Sequence, residues 1–230
     1  MSPNNTKIKI LVTGKKIIEK QGVVAFNFAD IAKLANISSG TLYKYFHKKE
    51  DLFVYLFTGK IRSYIACLEE VKNSPLTPLE KLVSRHLVLI TIAYHQDPKD
   101  PFNYVFSNYS LWMNAEDNLL VTMKQTFIEL NTLLLEPWHH DLRPALLSSD
   151  EFIEDLRNRL LCFQRGACIR SSNSLLKDAG QRVSIDKHLD SFIELTKPLE
   201  WMHTPLDIDR MKIKTLCNTI SDHYEWHGEW

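Results

Sequence analysis

Between Ser38 and Lys49 the chain gathers residue types suited to meeting a polyanion: the hydroxyls of Ser38, Ser39 and Thr41, the bare backbone of Gly40, the phenols of Tyr43 and Tyr45, and the ammonium groups of Lys44 and Lys49. Small residues let a backbone come close to another surface, Thr and Lys can meet base edges, and Tyr hydroxyls and Lys reach phosphates. Such a set works only when one rigid face holds it outward. Leu42 and Phe46 meet that need, because residues four apart share one face of a helix. With those two inward, Ser39, Gly40, Thr41, Tyr43, Lys44 and Tyr45 look outward, and Ser38 suits the cap of this helix.

A reading helix of this length needs others to support it. Asn27 can cap a preceding helix in which Phe28, Ile31, Ala32 and Ala35 recur at intervals of three and four, a buried stripe. Asn36 stands where that helix must stop and tolerates the left-handed conformation that stops it, and Ile37 plugs the corner. Upstream, Lys7 to Gln21 reads as a first helix with Ile10, Leu11, Ile17 and Ile18 inward, lysines on the other faces and Gly22 at its end. Gly14 within it costs about 1 kcal/mol of helix stability and suits a close approach to Ile31 or Leu42.

The run Ile31-Ala32, then Asn36-Ile37-Ser38-x-Gly40-Thr41-Leu42-Tyr43-x-Tyr45-Phe46, then Lys49-Glu50-x-Leu52 resembles the helix-turn-helix of the tetracycline-repressor (TetR) family of bacterial regulators. The resemblance covers roughly the first 60 residues. It implies an all-α protein in which a three-helix DNA-binding domain, residues 1–50, is joined by a connecting helix to a larger helical domain, residues 73–230, for effector binding and dimerisation. The DNA-binding set it implies is Asn27, Ser38, Ser39, Gly40, Thr41, Tyr43, Lys44, Tyr45 and Lys49. Thr41 and Lys44, with Ser39 and the Gly40 backbone, face base edges; Tyr43, Tyr45, Lys49 and Asn27 hold phosphates. Two copies of the chain would sit on a palindromic operator, and a small effector would release a repressor from it. Lys48 departs from the family pattern, which usually has a capping Ser there, and Gly14 stands where Ala is usual.

The formal net charge of zero hides an asymmetry. Residues 1–72 carry 12 Lys and Arg against 6 Asp and Glu, and the remainder 16 against 22. A basic end on an acidic body is expected when only that end touches nucleic acid. Hydrophobic content of 44% with 24% charged residues is ordinary for a soluble globular protein. The chain shows no bilayer-length apolar run and no secretory signal at Met1-Ser2-Pro3, so the expected compartment is the cytoplasm. Cys67, Cys162, Cys168 and Cys217 form no C-x-x-C pair and read as buried reduced thiols.

After His47-Lys48 a long connecting helix runs from Lys49 to about Lys72, with Leu52, Leu56, Ile61, Ile65 and Leu68 inward, and Asn73-Ser74-Pro75 marks a domain boundary. Thr77-Pro78-x-Glu80 is a capping-box start for a helix to about His95. A helix is expected around Phe102–Met113 and another over Glu116–Glu136. Asp150 to Leu176 reads as one long helix and Ser184 opens a shorter one, stopped by Pro198. The resemblance makes the late helices, about 150–177 and 184–200, the dimer-forming pair. Thr204-Pro205-Leu206-Asp207 signals a last start. The aromatic density between suits an apolar effector pocket lined by His86, Tyr94, Phe102, Phe106, Tyr109, Trp112, Met123 and Phe127.

Competing chemistry finds little footing. His139-His140 and His223-x-x-x-His227 lack a completed ligand set, so neither a metal nor any cofactor is expected. Phosphate-cradling glycine loops and nucleophile elbows are missing from the sequence. A DNA-bound architectural protein without a small effector is one alternative, and a helical enzyme a remoter one.

Overall fold

A computed structural model describes residues 3–96, 109–135, 150–199 and 207–224. Every regular element among them is helical. They are α1 (Pro3–Gln21), α2 (Phe28–Leu34), α3 (Ser39–Tyr45), α4 (Lys49–Asn73), α5 (Pro78–His95), a 3-10 turn (Tyr109–Leu111), α6 (Asp117–Leu135), α7 (Asp150–Ser171), α8 (Ser174–Asp178), α9 (Ile185–Thr196) and α10 (Arg210–His223). The chain divides into two compact units. One is Met1–Ser63 with Lys99–Glu129 and Glu225–Trp230; the other is Tyr64–Pro98 with Leu130–Tyr224. Residues of α4 belong to both, and the expected boundary at Asn73 coincides with the last residue of that helix.

In the first unit α1 begins at Pro3, four residues earlier than expected, because Pro lacks only an N–H that the first turn leaves unbonded anyway. Ile10, Leu11, Ile17 and Ile18 are buried as their spacing requires. Gly22 closes α1 at φ 82°, its N–H donating to the Ile18 carbonyl at 2.7 Å. Gly14 faces Leu52 more closely than the two residues expected. A Cβ there would lie 2.8 Å from Leu52 Cδ2 and 3.6 Å from Ile31 Cδ1, and Leu42 is not among its three nearest neighbours.

The second unit is built around α5. Thr77 and Glu80 form the reciprocal capping box, and Leu79 to Ala93 are buried except for half-buried Lys81, so this helix lies at the core with α7, α9 and α10 packed around it. The Glu80 carboxylate serves a second helix as well. Its Oε2 accepts from the Thr77 N–H at 2.9 Å, and its Oε1 accepts from the Asp209 N–H at 2.9 Å, at the residue that caps α10.

Four sequence expectations are corrected. Tyr109–Leu111 is a 3-10 turn followed by an irregular stretch through Glu116, so the helix expected to reach Met113 does not form over these residues. The Ala115 N–H donates to the Trp112 carbonyl at 3.0 Å and side chains take the neighbouring backbone groups, which leaves no helical ladder. The helix expected to run from Asp150 to Leu176 ends at Ser171. The Ser172 hydroxyl bonds back to the Cys168 carbonyl, and Asn173 caps a separate helix by accepting from the Leu176 N–H at 3.2 Å. The last helix starts at Arg210 under an Asp209 cap, several residues beyond the expected signal. Lastly, Cys67 and Cys217 are buried, but Cys162 is exposed and Cys168 half-buried. No helix among the described residues is long and apolar enough to cross a membrane.

Candidate nucleic-acid interface

The α2–α3 pair forms as its sequence requires. Asn27 caps α2, its Oδ1 accepting from the Ala29 N–H at 3.0 Å, and Ile31, Ala32 and Ala35 are buried beneath. Asn36 takes φ 49°, the only left-handed non-glycine residue described, and turns the chain toward α3. Ser38 caps α3 by accepting from the Thr41 N–H at 3.0 Å. Leu42 and Phe46 are 1% and 3% exposed and fix the underside of the helix.

The outward face carries Ser39, Gly40, Tyr43 and Lys44, all exposed, with Thr41 and Tyr45 half-buried. Tyr43 is 50% exposed and its ring meets Phe28 edge-on at 5.5 Å. The Thr41 hydroxyl lies 2.8 Å from the Ser38 hydroxyl, so the cap orients it. Lys49, at the start of α4, holds its ammonium 5.7 Å from the centre of the Phe26 ring. Across the same unit, the Lys7 ammonium donates to the Tyr55 hydroxyl at 3.0 Å and covers its ring at 4.1 Å. Lys7 is thereby held against α4.

The structure adds a junction that the sequence reading missed. Lys48 lacks the oxygen to cap α4, and Asp51 supplies one from three residues on: its Oδ2 accepts from the Lys48 N–H at 3.1 Å. The same carboxylate, 1% exposed, accepts at Oδ1 from the Glu116 N–H at 2.9 Å. His47 pairs with the Glu116 carboxylate and the Lys48 ammonium donates to the Asn114 carbonyl. Residues 114–116 are thus fastened to the end of the reading domain. The sequence signal was an acidic residue in the first turn of α4. Donor atoms of His47, Asp51 and Glu116 lie within 4.8 Å of one another, but both Asp51 oxygens are engaged at a helix N-terminus, where the dipole disfavours a cation.

The residues expected around an effector are distributed. His86 and Tyr94 lie in the second unit; Trp112, Met123 and Phe127 lie in the first, half-buried, buried and half-buried in turn. Phe102 and Phe106, and the side chain of Tyr109, lie outside the described residues. His86 is fully buried, and burial first and the Arg85 charge second lower its pKa from 6.5 to about 3. Tyr94 is half-buried under the Arg182 guanidinium, 3.9 Å above its ring. His223 bonds the Glu70 carboxylate at 3.1 Å, and His139, His140 and His227 fall outside the described residues.

Two short helices joined by a left-handed Asn, the second one polar outside and anchored beneath, define a helix-turn-helix protein. Residues 10–56 match the model of the bacterial regulatory proteins, tetR family. The chain is 33% identical over 86 residues to the fatty acid metabolism regulator protein of Bacillus subtilis; the match takes in 36% of this chain and 44% of that one. The aligned part therefore spans less than half of that relative's length. Among solved structures, the fold is similar to FadR from Bacillus subtilis in complex with stearoyl-CoA (TM-score 0.52, 19% identity, 82% of this chain and 96% of that one). It is also similar to reduced NemR from E. coli (0.57, 15%, 82% and 95%) and to the TetR family protein CprB from S. coelicolor A3(2) (0.55, 14%, 97% and 100%).

Proposed function

We propose that the protein is a DNA-binding transcriptional regulator, a homodimer whose two α3 helices enter successive major grooves of a palindromic operator roughly 34 to 36 Å apart. The observation that carries this reading is the exposed Ser39, Gly40, Tyr43 and Lys44 face on a helix anchored by Leu42 and Phe46, at the basic end of the chain. Thr41 and Lys44, with Ser39 and Gly40, meet base edges. Asn27, Ser38, Tyr43, Tyr45 and Lys49 position the phosphates. The late helices α7 and α9 supply the dimer contact, and the protein acts in the cytoplasm as a repressor.

A small, largely apolar effector bound in the second unit, at residues including His86 and Tyr94, controls DNA binding. It acts by preferring one of two conformations, and the shift is limited by its differential affinity for them. The helix α4 supplies residues to both units, and the Asp51 junction ties its start to residues 114–116, which makes these the parts that transmit the change. Operator release by ligand is the behaviour that separates this reading from an architectural DNA-binding protein.

The test is retardation of the DNA upstream of the protein's own gene, repeated with the Lys44→Ala variant. Loss of about 1 to 3 kcal/mol with relaxed preference at one base pair supports a base contact. Equal loss on every sequence reassigns Lys44 to a phosphate, and failure of the unmodified protein to bind any duplex at low salt refutes the reading.

A further inference from the structure

The linker that follows Gly22 is apolar, Val23-Val24-Ala25-Phe26, and only its last residue is buried. It forms one wall of a cavity of about 220 Å³, whose other walls come from the first turns of α4 and from the 3-10 turn. All of its lining residues belong to the first unit. Val23, Phe26, Phe53 and Leu111 give it an apolar interior, and Phe26 and Phe53 are 4% and 2% exposed, so that interior is fixed. Lys49 and Glu50, both half-buried, bring one positive and one negative charge to the same cavity. Neither is ion-paired among the described residues; the Lys49 ammonium rests 5.7 Å from the centre of the Phe26 ring, which itself lines the cavity.

Size and charge together select the occupant. Apolar walls with a few converging polar groups are the usual make-up of a small-molecule site, but drug-sized ligands need about 300 Å³ or more. An apolar cavity of about 150 Å³ holds one benzene ring, so this one takes a ring with a short polar arm. A charge drawn out of water costs free energy unless it is paired, and here both signs need an answer. A simple acid would set its carboxylate beside Glu50, and a simple amine its ammonium beside Lys49; like charges disfavour both. A zwitterion meets the two at once. We propose that this cavity binds a free apolar α-amino acid of about the size of phenylalanine, its carboxylate on Lys49, its ammonium on Glu50 and its side chain among Val23, Phe26, Phe53 and Leu111. The bound carboxylate then competes with DNA for the Lys49 ammonium, a consequence that rests on the phosphate role proposed for Lys49 above.

The test is calorimetric titration of the full chain with three probes: L-phenylalanine, 3-phenylpropanoate, which lacks the ammonium, and 2-phenylethylamine, which lacks the carboxylate. Phenylalanine should bind saturably, one per chain. Each of the others should bind at least about tenfold more weakly, as expected for one lost hydrogen bond to a charged group. Glu50→Gln should bring phenylalanine down to the level of 3-phenylpropanoate, which a merely structural role for Glu50 would not do. Leu111→Trp should fill the cavity and abolish binding; should it fail to fold, the Glu50→Gln comparison decides. Absence of saturable phenylalanine binding, equal affinity for a probe with one charge, an unchanged preference in Glu50→Gln, or full binding by folded Leu111→Trp overturns the assignment. Saturating phenylalanine should also reduce the salt slope of DNA binding by about 1 per subunit. A slope unchanged while phenylalanine is bound leaves the site standing and removes the phosphate role of Lys49 instead.

Discussion

Single residues decide several properties of this chain. Gly14 stands mid-helix, where Ala would add about 1 kcal/mol of helix propensity. The new methyl would meet Leu52, which is fully buried and has no solvent to move into. Overpacking of that kind costs about 1 to 3 kcal/mol, so Gly14→Ala should lower the stability of the chain, read as a reduced urea midpoint; a raised midpoint would show that Leu52 repacks freely. His86 gives a pH signature whose sign is fixed by its lowered pKa. Above about pH 6.5 the imidazole is neutral both folded and unfolded, and stability is full. Below it the unfolded chain takes up a proton that the folded one refuses, so stability falls toward about pH 3, by at most about 1.4 kcal/mol per pH unit. Burial lowers His188 in the same direction. Comparing the acid branch of the stability curve with that of His86→Phe isolates the slope, and identical branches would mean that His86 is solvated in the folded protein.

At the scale of elements, the telling feature is how helix starts are satisfied. The α5 capping box was legible because Thr77, Pro78 and Glu80 are contiguous, and a local hydrogen-bond pattern needs only local spacing. The start of α4 was legible in half: Lys48 was recognised as a poor cap, but the second duty of Asp51, accepting from Glu116 65 residues away, is a tertiary contact that no local spacing encodes. Asp51→Asn replaces one accepting oxygen with a donor facing an N–H. It should cost about 2 to 3 kcal/mol, measured by denaturant unfolding, and a loss below a few tenths would mean that water substitutes for the carboxylate. The break after Ser171 escaped the periodicity argument for a similar reason. The apolar stripe continues through Leu176, while the hydroxyl of Ser172 and the amide of Asn173 compete for the backbone and end the helix.

For the whole molecule the charge asymmetry is the governing quantity. The proposed dimer, with its two basic ends, should bind duplex DNA with an affinity that falls linearly in the logarithm of salt, by about 0.9 per phosphate neutralised. Lys49→Ala should weaken binding alike on all sequences and reduce that slope by about 1 per subunit. A slope unchanged by the substitution would place Lys49 away from the phosphates, with its ammonium over the Phe26 ring.

The sequence by itself determined the reading head. Asn27, Asn36, Ser38, Leu42 and Phe46 act through caps, a left-handed turn and i to i+4 spacing, all of which are fixed within one or two turns of chain. Tertiary structure alone decided that Asp51 and Glu80 each serve two backbone sites, that Leu52 fills the space over Gly14, and that His86 and His188 lie in one aromatic chain. Those contacts join residues far apart in sequence, and they exist only after the helices have packed.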